Sequence, residues 1–390
     1  MTTRLYYTDA YQDRFTSTVT AVADGGRRIY LRATSFYPAS GGQPSDTGVL
    51  GGAAVADVVD EGERVAHMLA APAELEPGSE VEGRIDWERR YDHMQQHTGQ
   101  HLLSAVFEEL YGAHTVSVHF GAESSTLDLA EWAAEPAALP VAERRANSLV
   151  WENRPVRVSF EEAAEAAGLR KASARAGELR IVSIEGLDRS ACGGTHVRAT
   201  GEIGAVLLRR VERVRGDTRV EFVCGGRAVA RARGDYDALA RTAQLFSAPL
   251  EDVPALVAAQ REQAREAQLE CKRLEGELVA YRARELYDRS APDAAGVRCI
   301  LDRRPTGTVD ELRVLAQALT ALPRVRLVAA VEAPPTLLLA ASDDAGVDAG
   351  AELRRAVTAV GGRGGGSPRL AQGSVPDVAA LEQALRALGC

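Results

Sequence analysis

The spacing of apolar residues along this chain of 390 residues changes several times, and each change marks a different kind of predicted structure. In the first segment, short stretches of alternating apolar and polar residues are separated by turns rich in glycine, proline and aspartate. The clearest of these stretches cover residues 28–32, 54–59 and 80–86. Short strands with frequent turn signals are typical of small all-β domains. The pattern therefore predicts a β-barrel or a β-sandwich over residues 1–86.

The next segment mixes the helical period with the strand period. A helical pattern begins at Trp87 and ends near Tyr111, which predicts one long helix. Alternation then returns, and the predicted strands cover residues 115–120, 126–129, 156–160, 180–185, 204–214 and 218–224. We therefore expect a mixed α+β domain over residues 87–226.

Residues 227–292 are expected to form a helical arm or linker. Between residues 255 and 291 there is no proline and only one glycine. A stripe with alternating spacings of three and four residues runs along this segment, at Val257, Gln260, Ala264, Ala267, Cys271, Leu274, Leu278 and Tyr281. Such a helix would be about 50 Å long, which is more than one small domain can cover. We expect it to pair with another helix of the same chain or with a second copy, as a homodimer.

The last segment, residues 293–390, has the pattern of an α/β domain. Apolar strands are predicted at residues 326–332 and 336–341, followed by a glycine-rich loop at 361–368 and a final helix over 375–388.

Composition and charge narrow the functional classes. With 46 basic and 55 acidic residues the net charge is −9, so any nucleic acid would have to be bound by local basic patches. The five cysteines are scattered and odd in number, which argues against a secreted disulfide scaffold. The sequence contains neither a long apolar run nor an apolar segment near its start. We therefore expect no membrane span and no secretory signal, and a cytoplasmic location.

Three of the seven histidines stand four residues apart on the predicted helix, at His93, His97 and His101. Residues four apart lie on one helical face, so two of them can present ring nitrogens to one metal ion. A metalloprotease helix would carry glutamate directly after its first histidine. Thr98 follows His97, which excludes that class.

A second metal-ligand pattern lies about ninety residues later, where two glycines and a threonine separate Cys192 from His196. The glycines allow a tight turn that brings the thiolate and the imidazole together. Neither pattern is specific alone, but His97, His101, Cys192 and His196 together form a tetrahedral zinc set. For His93 we leave open a supporting role near the metal, contact with substrate, or an exposed position at the start of the helix.

These two motifs, at residues 97–103 and 192–196, resemble the editing domain of alanyl-tRNA synthetase. They resemble even more closely the free-standing AlaX-type alanyl-tRNA editing proteins. The glycine-rich residues 36–48 are similar to a loop of that family's N-terminal barrel, and residues 201–204 and 216–221 to its later strands. Residues 361–373 resemble part of the DHH-associated domain at the end of long AlaX proteins. The resemblance implies an α+β fold with an N-terminal β-barrel, an alanyl/threonyl-tRNA synthetase-type editing domain, a long helical arm and a C-terminal α/β DHH-associated domain.

The resemblance also implies an activity. It indicates a zinc-dependent aminoacyl-tRNA deacylase that removes serine, and as a second candidate glycine, from mischarged tRNA(Ala) made by another enzyme. The zinc ligands His97, His101, Cys192 and His196 would then also be the catalytic residues. Substrate-binding positions implied by the same family are Gln43, Asp46, Gln100, His119, Glu123 and Arg219.

Two other functions remain open. The same ligands and the eight arginines of residues 204–233 suit a non-catalytic RNA-binding protein whose zinc is structural. They also suit a hydrolase for small esters, which would act equally well on an aminoacyl adenosine without the tRNA body. Release of free serine from seryl-tRNA(Ala) separates the first alternative from an editing enzyme, and the need for the tRNA body separates the second.

Overall fold

The computed structural model describes residues 1–133, 135, 137–171 and 176–389. The chain divides into two compact units, Met1–Gln244 and Leu245–Cys390. In the described part of the chain, no helix combines the length and the apolar character needed to cross a bilayer. The four predicted domains, with boundaries after residues 86, 226 and 292, stay a prediction.

The first unit begins with a closed β-barrel, which confirms the barrel alternative over the sandwich. A short parallel pair, β1 (Thr3–Arg4) with β4 (Ala33–Thr34), lies outside it. The barrel strands are β2 (Arg14–Ala23), β3 (Arg28–Leu31), β5 (Gly48–Leu50), β6 (Ala53–Asp60), β7 (Val65–Leu69) and β8 (Glu80–Ile85). They close in the order β2-β3-β7-β6-β5-β8. The residues of the predicted alternation fill the interior, including Ile29, Leu31, Val55, Val58, Val81 and Ile85.

The rest of the first unit is built around helix α1 (Trp87–Tyr111), whose ends are those predicted. Asp86 caps its start by accepting a hydrogen bond from the Arg89 amide. The following elements are β9 (Thr115–Phe120), β10 (Ser125–Leu129), α2 (Ala138–Trp151), β11 (Val156–Glu162), β12 (Glu178–Ile184), β13 (Asp188–Ala191), β14 (Val206–Val214), β15 (Asp217–Cys224) and α3 (Gly225–Phe246). The strands among them form two antiparallel sheets, in the orders β14-β15-β10-β9 and β11-β12-β13.

Helix α1 is held against the four-stranded sheet at close range. Its apolar residues, such as Leu103 and Phe107, share one core with Leu127 and Phe222. A Cβ atom added at Gly99 would lie 2.3 Å from the sulfur of Cys224, so only glycine allows the helix to approach strand β15 this closely. This contact sets the depth at which the histidines of α1 sit.

The second unit contains the long helix α4 (Val253–Arg289) and a five-stranded sheet. Its other elements are β16 (Arg298–Thr306), α5 (Val309–Thr320), β17 (Val325–Ala333), β18 (Thr336–Ala341), α6 (Ala349–Ala359), β19 (Arg363–Gly366), β20 (Leu370–Ser374) and α7 (Val378–Leu388). The strand order is β16-β17-β18-β20-β19, with one parallel pair, β16 and β17. Helices α6 and α7 cover one core of the sheet, while α5 and the end of α4 cover another.

The predicted glycine-rich loop at residues 361–368 is in part a strand, which corrects the sequence analysis. Strand β19 pairs antiparallel with β20 over four residues. A Cβ atom added at Gly364 would lie 2.6 Å from the Cα atom of Gly373, so the glycines serve the close approach of two strands. In a sequence, a run of glycines indicates a turn or a loop. Here the pairing with β20 makes the segment a strand instead.

Candidate metal centre

Helix α1 carries His97 and His101 on one face, as the spacing of four residues predicts. Their ring centroids are 5.4 Å apart. Both side chains are buried, at 4% and 5% exposure. Burial of two neighbouring imidazoles is costly unless their ring nitrogens have partners.

The loop after strand β13 brings Cys192 and His196 to the same place. The amide of Gly194 donates a hydrogen bond to the Cys192 sulfur at 3.4 Å, which closes the turn. A Cβ atom added at Gly194 would lie 2.1 Å from Cε1 of His97, so the loop contacts the helical imidazole directly only because glycine stands there.

The four donor atoms have the spacing of a metal site. The sulfur of Cys192 lies 3.4 Å from Nε2 of His97 and 3.4 Å from Nε2 of His196. One donor atom from each of His97, His101, Cys192 and His196 lies within 4.8 Å of the others. Zinc bonds of about 2.0–2.3 Å place neighbouring tetrahedral donors about 3.3–3.6 Å apart. The group could therefore hold a metal ion.

The first of three supporting contacts orients His97. Its Nδ1 lies 2.8 Å from Oε1 of Gln43. An amide oxygen only accepts, so Nδ1 carries the proton and Nε2 presents a lone pair. Gln43 is itself held by Thr195, whose amide donates to the same oxygen at 3.1 Å and whose hydroxyl accepts from the Gln43 amide at 2.8 Å.

The other two imidazoles are oriented in the same manner. Nδ1 of His101 lies 2.8 Å from a carboxylate oxygen of Asp188. Nδ1 of His196 lies 3.1 Å from the Thr98 hydroxyl, which itself donates to the Met94 carbonyl at 2.8 Å and is thus left to accept. All three rings therefore hold their Nδ1 protons in bonds to the chain and leave Nε2 for a metal, the arrangement that metal-ligating histidines usually have.

The pKa values of the donor side chains are shifted by burial and by their neighbours. Burial alone would raise the pKa of the Cys192 thiol, but the adjacent rings of His97 and His196 bring it well below its usual value. Burial would lower the pKa of His101, but the Asp188 carboxylate and the Cys192 thiolate outweigh it and raise that pKa to about 9. Burial lowers the pKa of His196 to about 3. At neutral pH, Cys192 is thus a thiolate and His101 carries an imidazolium proton, which a metal cation would displace.

Three of the four donor residues lie at the wall of a cavity of about 800 Å³, here called the histidine cavity. Its lining includes His97, His101 and Cys192, together with Ser40, Gly41, Gln100, Phe160, Lys171 and Arg180. This volume is in the range of about 300–1,000 Å³ that is usual for small-ligand sites. A ligand that enters the cavity would reach the metal donors.

The sequence was compared with those of known protein families and proteins. Residues 179–220 match the threonyl and alanyl tRNA synthetase second additional domain, and this match contains Cys192 and His196. Residues 300–389 match the DHHA1 domain. The alanine–tRNA ligase of Methanoregula boonei is 34% identical over 98% of this chain, and that of Pyrococcus furiosus is 33% identical over 98%. Over nearly its whole length, the chain is therefore similar to part of the alanine–tRNA ligases.

The chain spans 43% of the length of both ligases. Among solved structures, the C-Ala domain of Aquifex aeolicus alanyl-tRNA synthetase is similar, with a TM-score of 0.23 and 21% identity. The similarity covers 26% of this chain and 92% of that domain.

Of the six positions implied as substrate contacts, the structure brings two to the metal centre. Gln43 holds the ring of His97, and it is buried rather than exposed to the cavity. Gln100 lines the histidine cavity, and its amide donates to the Ser104 hydroxyl at 2.8 Å.

The other four positions lie elsewhere in the described part of the chain. Asp46 is 0% exposed, and both of its carboxylate oxygens accept hydrogen bonds from the buried Arg90. Arg219 pairs with Asp128 at 2.7 Å.

The remaining two positions are exposed. His119 follows Val118 on β9, and because Val118 faces the histidine cavity, the alternation of side chains along a strand directs His119 away from it. Glu123 is exposed in the β9–β10 turn. Substrate binding by these four residues stays a prediction.

The structure excludes an exposed position for His93, one of the alternatives that the sequence left open. His93 is 5% exposed, and burial lowers its pKa to about 4. It lines a separate cavity of about 430 Å³ with Pro44, Asp92 and Arg227. The helical spacing placed His93 on the face of the metal ligands but could not tell which neighbours cover it.

Sequence reasoning missed two supporting residues, Asp188 and Thr98, and misassigned the role of Gln43. The acid at position 188 stands four residues before Cys192, and this proximity was the only available signal for it. Thr98 was considered only as evidence against a protease. Its hydroxyl faces His196 because the loop after β13 folds back onto α1.

Proposed function

We propose that this chain hydrolyses the ester that joins a wrong amino acid to tRNA(Ala). Serine is the main candidate and glycine the second. The relationship to alanyl-tRNA synthetases supports the choice of tRNA. The observation that carries the proposal is the convergence of three oriented Nε2 atoms and one thiolate, of which His97, His101 and Cys192 line the histidine cavity. An aminoacyl ester is already reactive, so the enzyme needs only to position it and to polarise its carbonyl group, and converging donors of this kind suit that task.

The donor set fits zinc. Three neutral imidazoles and one thiolate leave a net charge of +1 on a bound zinc ion, and His97, His101, Cys192 and His196 would hold it. When bound there, zinc supplies a positive charge that polarises an ester carbonyl or lowers the pKa of a water molecule. The hydrogen bonds from Gln43, Asp188 and Thr98 orient the rings before any ligand arrives.

The residues around the donors position the substrate in this proposal. Gln100 lies between the two helical histidines along the chain and lines the cavity, and its amide nitrogen is engaged by Ser104. Its oxygen is then left to accept a hydrogen bond from a serine hydroxyl. We expect Gln100→Ala to reduce the preference for serine over glycine by about 5- to 10-fold, since one neutral hydrogen bond contributes about 1 kcal/mol.

A non-catalytic, zinc-containing tRNA-binding protein is the second candidate. It is favoured by the four protein ligands, because structural zinc sites have a closed tetrahedral shell, whereas catalytic sites usually keep one open position. Against it, a structural zinc needs no cavity, and three of the donors line one.

The decisive experiment measures deacylation of seryl-, glycyl- and alanyl-tRNA(Ala) side by side. We expect release of serine, loss of that release after chelation, and recovery on addition of zinc. His97→Ala should abolish the release, whereas the matched control His114→Ala, at a histidine whose side chain is 70% exposed, should retain it. Tight tRNA binding without release of any amino acid would establish the second candidate. Full activity of metal-free protein would contradict the zinc-dependent form of the first.

A further inference from the structure

Three side chains form a row across the sheet β11-β12-β13, from the protein surface to the metal donors. Phe160 on β11 is directly opposite Arg180 on β12. Ile181 is opposite Ala191, so the next pair is Arg180 with Cys192, and the Cys192 amide donates to the Arg180 carbonyl at 3.0 Å. Directly opposed residues in antiparallel strands place their side chains on the same face. All three residues of this row line the histidine cavity.

The middle of the row is rigid, and its outer end is open. Nε of Arg180 donates to the Tyr7 carbonyl at 3.0 Å, and Nη1 donates to the Cys192 carbonyl at 2.6 Å. Phe160 is 43% exposed. A single exposed phenylalanine is common on protein surfaces, but this one lies two strands from a metal donor in a cavity of ligand size.

The spacing of the row matches an aminoacylated nucleoside. Adjacent strands are about 4.8 Å apart, so Phe160 and Cys192 are separated by about 10 Å across the sheet. In an ester of the 3′-terminal adenosine of tRNA, the ribose separates the reacting carbonyl from the base by a span of that order. Lys171 is exposed and lines the same cavity, as suits contact with a backbone phosphate.

We propose that Phe160 is the stacking platform for the 3′-terminal base, which holds the ester beside the metal donors. This subsite rests on the proposed function, because it assigns the nucleoside end of the same substrate. Aromatic side chains stack on any base, so Phe160 contributes affinity without reading the identity of the base. Arg180 supports the row from within and is a positioning residue.

The first test uses a non-hydrolysable probe, 3′-serylamido-3′-deoxyadenosine, titrated into zinc-loaded protein by calorimetry. Phe160→Ala should weaken binding by about 5- to 100-fold, the range measured when a stacking aromatic is removed. Phe160→Trp should bind the probe as tightly as the wild type. Trp151→Ala removes a different aromatic residue, 78% exposed at the end of α2, and should leave binding unchanged.

The second test removes the base from the probe instead of the ring from the protein. The same serylamide on an abasic ribose should bind wild-type protein as weakly as the adenosine probe binds Phe160→Ala. The Phe160→Ala variant should bind the two probes equally, because the Phe160 ring and the base are the two partners of a single stacking interaction. If Phe160→Ala still prefers the adenosine probe as strongly as the wild type does, or if the wild type does not bind that probe, the subsite is wrong.

Failure of the subsite and failure of the proposed function have different outcomes. If the wild type releases serine from seryl-tRNA(Ala) but Phe160→Ala binds the probe within twofold of the wild type, the function stands and the subsite falls. If the wild type releases no serine but binds the probe through Phe160, the subsite stands and the hydrolytic function falls. Metal content, measured in each variant, should be the same.

Discussion

Nδ1 of His101 lies 2.8 Å from a carboxylate oxygen of Asp188, and this contact connects a helical metal ligand to strand β13. The other oxygen of Asp188 accepts from Nε of Arg170 at 2.6 Å. Asp188 is 5% exposed, so it is a buried acid with a partner on each oxygen. A carboxylate held in this way orients the imidazole and raises its basicity.

Removal of this carboxylate should weaken metal binding. We expect Asp188→Asn to reduce zinc affinity by about 10- to 100-fold, the usual effect of losing such a supporting contact. Competition with a chromophoric chelator measures the affinity directly. Asp128→Asn is the matched control, because Asp128 is also a partly buried acid paired with an arginine, at a site away from the metal ligands. Equal affinity in both variants would contradict a supporting role for Asp188.

Zinc binding should release a proton at neutral pH. Because the pKa of His101 is raised to about 9, its ring is protonated in the metal-free protein below that pH, and a metal must displace the proton. The thiol of Cys192 has a lowered pKa and is already ionised. Zinc affinity should therefore rise about tenfold per pH unit between pH 7 and 8, with about one proton released per zinc. Calorimetry in buffers of different ionisation enthalpy measures this number.

The Asp188→Asn variant also tests this prediction. Without the carboxylate, only the Cys192 thiolate opposes the effect of burial, so the pKa of His101 should fall. Proton release per zinc at neutral pH should be smaller in that variant. An unchanged release of about one proton would mean that the proton comes from another group.

The buried histidine of the barrel should make stability depend on pH. His67 is 0% exposed; its Nδ1 donates to the Ile29 carbonyl at 3.0 Å, and its Nε2 accepts from the Thr34 hydroxyl at 2.8 Å. Burial lowers the pKa of His67 from 6.5 to about 4. The unfolded chain thus binds the proton first, and the stabilisation is present above pH 6.5 and lost as the pH falls toward 4. The difference in pKa corresponds to about 3 kcal/mol.

Denaturant unfolding at several pH values tests this expectation. His67→Gln should be less stable than the wild type at pH 7, and the gap in unfolding free energy should narrow as the pH approaches 4. His114→Gln, at an exposed histidine, should follow the wild type throughout. A gap for His67→Gln that stays constant with pH would mean that His67 does not titrate as expected.

Helix α4 should mediate self-association. Most of its predicted stripe is uncovered, and Leu278 and Tyr281 are 70% and 76% exposed. We expect a dimer in sedimentation velocity, and a monomer for the double variant Leu274→Glu with Leu278→Glu. The matched control is Leu269→Glu, which changes an exposed leucine outside the stripe and should leave the dimer intact. Similar sedimentation of both variants would contradict an interface along the stripe.

Local patterns in the sequence determined the elements that depend on near neighbours. The ends of α1, the barrel strands β3, β6 and β8, and the position of His97 and His101 on one face all follow from periods of two and 3.6 residues. The pairing of the helical histidines with Cys192 and His196 also came from sequence, because few residue types bind zinc and this chain has few of them.

Tertiary structure alone decided which groups support the site. The partners of the three imidazoles are Gln43, Asp188 and Thr98, at separations of 54, 87 and 98 residues along the chain. No local period connects such positions, because a hydrogen bond across strands and loops depends on how the barrel, helix α1 and strand β13 pack. The same reason explains Asp46 and His93, whose burial depends on packing rather than on their own residue types.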